Sequence, residues 1–184
     1  MKLAVLLLAA GCSHVELTGD EHRKAAADAR ESATKAESYE PTAKQKAEAD
    51  RQMALSFRHL RAARGLEGFE DDACFGLAEP VRVSCPVLAP HLESVEELAN
   101  GVALHFEDAH VARTVGIQMR CHLAYAMANN FERAPCPLYL KGVQIQIGSE
   151  REIVVGSRDA EIAREVKAAA RRMFGGPEDS KLQP

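Results

Sequence analysis

DAHVARTV, residues 108–115, and DAEIAREV, residues 159–166, decide how this chain is read. Five of the eight positions are identical, and Val111 is exchanged for the similar Ile162. The offset between them is 51 residues, and the same offset separates Cys85-Pro86 from Cys136-Pro137. A single unit is therefore expected twice, over residues 85–123 and 136–174.

Working upstream from each octapeptide gives the content of that unit. Asp108 and Asp159 stand where helix N-caps belong, since a short carboxylate accepts from the unpaired amides of a first turn. Before Asp108, residues 92–98 and 102–106 read as strands around Asn100-Gly101, a strong hairpin signal. Before Asp159, Val143, Ile145 and Ile147 alternate with glutamines, as in a sheet with one buried face. Residues 148–151 are then a turn, and 152–155 a second strand. Downstream, Val111, Val115, Met119, Leu123 and Ala126 share one helical face, as do Ile162, Val166, Ala170 and Met173.

Neither ββα unit can bury its apolar face alone. The expected fold is α+β: a tandem ββα duplication forming one four-stranded antiparallel sheet, with two helices on one face. This domain is expected over residues 77–174. Gly175-Gly176-Pro177 ends the last helix, and residues 175–184 read as a disordered tail.

The 184 residues are 46% apolar, enough for one sizeable core. With 5% aromatics and no Trp, that core must be mainly aliphatic. A net charge of −4 supplies no basic footprint for nucleic acid, so no nucleic-acid partner is expected.

The N-terminus gives an address. Lys2 precedes a short apolar run, residues 3–10, far below the roughly 20 residues of a membrane span but right for a signal-peptide core. Small residues and a cysteine follow. AAGC, residues 9–12, resembles the lipobox of bacterial lipoproteins, although Ala9 stands where Leu is commonest in that family. The resemblance covers only the first dozen residues. It implies removal of residues 1–11 and acylation of Cys12, and therefore a membrane partner through a lipid anchor. Ser13, rather than Asp, after the cysteine implies the periplasmic face of the outer membrane.

Residues 12–41 read as an exposed helical stalk. They are rich in Ala and charge, carry Glu31→Lys35 as an i,i+4 pair, and show no large aliphatic stripe. Pro41 interrupts the run. Residues 42–76 then supply a packing helix and a connector. Thr42 and Gln45 form a capping-box signature, and Gly65 is the expected stop. Met53, Phe57 and Leu60, flanked by Ala49 and Ala63, form its expected buried stripe, with Phe69 and Phe75 as later anchors.

Chemistry is sparser. Apart from Cys12 there are four cysteines, Cys74, Cys85, Cys121 and Cys136, an even set that allows three pairings. For an exported chain two disulfides are expected. The local pairs Cys74–Cys85 and Cys121–Cys136 are favoured, against free buried thiols or a cross-pair such as Cys85–Cys121. His105, His110, Cys121 and His122, with His91 and Met119 nearby, are conceivable soft-metal ligands. Their spacing fits no structural zinc signature, and Cys121 and His122 point about 100° apart on one helix. No metal or cofactor is therefore expected. Nucleophile-elbow, zincin, C-x-x-C and Walker motifs are absent from the sequence, so an enzyme is not expected. The leading expectation is a cell-envelope lipoprotein with a structural or protein-interaction role toward an envelope partner. The alternative is a periplasmic metal- or small-ligand-binding lipoprotein.

Overall fold

Val102, Leu104 and Phe106 alternate with smaller or polar residues, and all three are fully buried. They lie on one face of β2 (Gly101–Phe106), which pairs antiparallel with β1 (Leu92–Leu98) and with β4 (Glu152–Gly156). β3 (Gln144–Ile147) completes the sheet outside β4, so the order is β1-β2-β4-β3. The computed structural model describes residues 17–36, 40–86, 92–132, 136, 138–148 and 151–174. The expected signal peptide 1–11, Cys12, His91 and residues 175–184 lie outside the described residues.

The architecture is α+β, with five helices among the described residues: α1 (Gly19–Ala36), α2 (Ala43–Ala73), the short α3 (Glu79–Val83), α4 (Ala109–Ala128) and α5 (Ala160–Phe174). Both strand pairs fall where the alternation and the Asn100-Gly101 turn place them. Gly101 is required at that turn, because a Cβ there would stand 2.1 Å from the Val155 carbonyl oxygen. Ile153 and Val155 of β4 join the β2 side chains in one core with Val115, Met119 and Leu123 of α4 and Val166, Ala169 and Ala170 of α5. Each large aliphatic side chain fully buried there contributes about 1.5–3 kcal/mol.

Both helices start at the expected caps. Asp108 accepts from the His110 and Val111 amides at 2.7 and 3.0 Å, and Asp159 from the Glu161 and Ile162 amides at 2.8 and 3.3 Å. On α5 the buried set is Ala163, Val166, Ala169 and Ala170. Ile162 is half-buried and Met173 exposed, so the inward face is turned from the one the larger residues suggest.

α4 is the central element. Its Val115-Met119-Leu123 face meets the sheet, while Cys121, Ala124 and Ala128 fall on the opposite side and are also buried. That second side packs against α2 and α3.

The helical hairpin is the main departure from the sequence reading. α1 is not an exposed stalk: it packs closely along α2. Ala26, Ala29 and Ala33 are buried, and so are Ala49, Ser56 and Ala63 at heptad spacing on α2. Small side chains let two helices approach closely, and the seam is closed by Ser56 Oγ donating to the Ala26 carbonyl at 2.8 Å. Alanine reads as exposed in a search for large aliphatic residues, and here it is the packing face.

For the same reason the expected α2 stripe is displaced. Phe57 is 60% exposed, Met53 and Leu60 are half-buried, and the anchors Phe69 and Phe75 are exposed. The α2 capping box forms as expected: Thr42 N donates to Gln45 Oε1 at 2.8 Å, and Gln45 N to Thr42 Oγ1 at 3.3 Å. The helix does not stop at Gly65 but runs to Ala73. A glycine costs a helix about 1 kcal/mol, which packing on α4 offsets.

The start of α1 docks on the end of α4. The Asp20 amide donates to the Asn129 carbonyl at 3.3 Å, and Arg23 donates to the Ala128 carbonyl at 3.2 Å. Gly19 permits this approach, since a Cβ would stand 1.9 Å from the Ala128 oxygen.

Candidate functional site

Two places in this fold gather chemistry. One is a largely buried disulfide–imidazole cluster and the other an open cleft.

The four cysteines form two disulfides, but neither expected local pair exists. Cys74 bonds Cys121, and Cys85 bonds Cys136. The reason lies in α4. Cys121 faces α2, whose C-cap is Cys74, while the next residue, His122, is turned about 100° toward the connectors that carry Cys85 and Cys136. The helical divergence that argues against a Cys121–His122 site thus assigns each of the two residues to a different disulfide region. Cys85–Cys136 also joins equivalent positions at the 51-residue offset.

His122 is fully buried. Its Nδ1 lies 2.7 Å from the Arg82 carbonyl, which can only accept, so Nδ1 carries the proton and donates. Nε2 is left with a lone pair and has no hydrogen-bond partner among the described residues. Burial holds the imidazole below its ordinary pKa, so it is neutral at pH 7, and the hydrogen bond to Arg82 only partly opposes this. His122 and both sulfurs of Cys85 and Cys136 present their ligand atoms within 4.8 Å of one another. The Tyr139 ring lies 5.2 Å from the His122 ring, and its hydroxyl is likewise buried and unpartnered among the described residues. Burial pushes that phenol well above its ordinary range.

The other histidines named from sequence are elsewhere. His105 sits on β2 with Nε2 3.5 Å from Glu96, across the β1–β2 pair. His110 is exposed in the first turn of α4. Met119 is a core side chain. These residues do not converge with Cys121 and His122. Sequence reasoning missed Cys85 and Cys136 as neighbours of His122, although their shared offset was the available signal.

The cleft is a half-open space of about 1350 Å³ between the helical hairpin and the β3 edge. α1 and the residues before it contribute Leu17, Thr18 and His22, α2 contributes His59, Leu66 and Phe69, and α4 contributes Arg120, Leu123 and Met127. The far wall is formed by Lys141, Val143, Ile145 and Ile162. His22 and His59 meet with Nδ1 atoms 2.9 Å apart, so one must donate and the other accept. Burial, and then the nearby His59, lower the His22 pKa. Lys141 pairs with Glu21 at 2.7 Å, whereas Arg120 and Arg158 have no hydrogen bond or ion pair among the described residues. The cleft is apolar in its walls and mainly cationic in its charged groups. No sequence pattern announced it, because its residues come from five separate stretches.

No protein-family model, curated protein or solved structure matches this chain. No helix among the described residues is long and apolar enough to cross a membrane.

Proposed function

We propose that the chain is a lipid-anchored cell-envelope protein that binds an amphipathic small ligand with an acidic head group. The observation that carries the binding reading is the apolar cleft whose lining includes Arg120 and Arg158, both unpaired among the described residues. Ligand sites combine apolar walls with a few polar groups that fix orientation. An acyl or aromatic body would lie along Leu66, Leu123, Val143 and Ile145, with its anionic end toward the guanidinium groups.

Gly65 supplies the test, because it lines the cleft and a Cβ there meets nothing within 4 Å. Titration with anilinonaphthalene sulfonate, an apolar ring system bearing one anion, is expected to saturate at one per chain. Gly65→Leu should weaken binding at least tenfold while raising thermal stability, since it removes a helix glycine. Non-saturable binding, or binding unchanged by Gly65→Leu, would refute the cleft reading. The structural or envelope-partner role would then be preferred. Phe57 and Phe75, 60% and 89% exposed, are the side chains that favour this second reading.

The anchor rests on residues 1–12, and the two disulfides support an oxidising compartment. Cys12→Ala should abolish incorporation of labelled fatty acid and leave the precursor unprocessed; persistent labelling would sink the lipoprotein assignment. The tandem ββα duplication is also part of this proposal. Its supports are the matched caps Asp108 and Asp159, the Cys85–Cys136 bond between equivalent positions, and the central β2–β4 antiparallel pair.

A further inference from the structure

We infer that Cys85, Cys136 and His122 form a redox-gated site for Cu(I), closed to metal as the disulfide and open to it as the dithiol. This is independent of the cleft. Three observations carry it together. The two sulfurs and one nitrogen of the imidazole lie within 4.8 Å of one another. His122 is fully buried with Nε2 unpartnered among the described residues, which costs free energy unless that lone pair has a use. Its Nδ1–H is fixed on the Arg82 carbonyl, the arrangement by which a second-shell oxygen orients an imidazole for metal ligation.

An envelope dithiol reductant attacks the Cys85–Cys136 bond, gives up two electrons and two protons, and becomes a disulfide, leaving Cys85 and Cys136 as thiols. Cu(I) then binds both sulfurs and His122 Nε2, expelling the two thiol protons. Sulfur–metal bonds of about 2.3 Å in a three-coordinate site put the sulfurs about 4 Å apart, farther than the bonded pair but compatible with the 5.5 Å between the two Cα atoms. Neither cysteine lies within a helix or strand, so the sulfurs can separate without disrupting either. Two thiolates and one imidazole suit a soft monovalent ion. Zn(II) prefers a fourth ligand, and the three-residue cluster provides none.

The test uses the full chain carrying Cys12→Ser, so that no fifth thiol competes. It is titrated anaerobically with Cu(I) against a coloured chelator, before and after reduction by a phosphine. The reduced protein should take one Cu(I) per chain and the oxidised protein none, with two sulfurs and one nitrogen in its X-ray absorption spectrum. Cys85→Ser/Cys136→Ser should abolish uptake, and His122→Gln should weaken it at least tenfold. Uptake by the oxidised protein, uptake surviving the double serine change, or a sulfur-only shell unaffected by His122→Gln would each overturn the inference. If the double serine variant loses its circular dichroism, the His122→Gln affinity and the nitrogen count decide the matter.

Discussion

Asp108 shows how much one side chain can be asked to do. It is exposed, yet its two hydrogen bonds from the Val111 and His110 amides hold its carboxyl below the usual carboxylate range. A folded-state pKa below the unfolded value means the folded state is favoured when the group is ionised. The contribution is therefore fully present above the unfolded pKa, about 3.9, and is lost as pH falls through the lower folded value. Asn caps a helix as well as Asp does but does not titrate there. Asp108→Asn should thus unfold in urea with a shallower loss of stability below about pH 4 than the parent protein. Identical pH profiles for the two would show that the cap's charge is irrelevant. Glu21, lowered chiefly by its hydrogen bond to Lys141, and Glu97, lowered chiefly by Arg171, add to the acid sensitivity that remains in the variant.

At the scale of elements, legibility followed the size of the side chains that pack. β2 and β3 were readable because Val102, Leu104 and Phe106, and Val143, Ile145 and Ile147, alternate with smaller or polar residues. β1, whose half-buried Leu92, Val95 and Leu98 fall three apart, was placed by the Asn100-Gly101 turn. The face of α4 was readable for the same reason. The hairpin of α1 and α2 was not, because its seam consists of Ala26, Ala29, Ala33, Ala49, Ser56 and Ala63. Alanine is the best helix former whether exposed or buried, so its presence does not distinguish the two. The cleft inherits the same opacity, since α2 forms one of its walls only when α1 and α4 have placed it. The disulfide–imidazole cluster was half legible. His122 was named among the conceivable ligands, but periodicity along one helix could pair it only with its chain neighbours.

On the scale of the whole molecule, the two disulfides tie the layers together. Cys74–Cys121 spans 47 residues and fastens α2 to α4, while Cys85–Cys136 spans 51 and fastens together the two connectors that lead into the sheet. The chain-entropy relation gives each about 4 kcal/mol, a large share of an ordinary domain stability of 5–15 kcal/mol. The two spans interleave along the chain, so one bond already shortens the loop that the other must close, and their effects should not add in full. They differ in exposure more than in entropy. Both sulfurs of Cys74–Cys121 belong to fully buried residues, whereas Cys85 is only half-buried. A dithiol acting on the folded protein must reach a sulfur directly, so Cys85–Cys136 should open first and Cys74–Cys121 only with global unfolding. Peptide mapping after timed reduction and alkylation measures the order. Removing the buried pair with Cys74→Ala/Cys121→Ala should lower the melting temperature by roughly 10 °C, at 2–4 °C per kcal/mol for a chain of this size. Alkylation at Cys74 or Cys121 ahead of Cys85 and Cys136 would contradict this order. It would also remove the basis for treating one disulfide as a fixed brace and the other as the bond that opens.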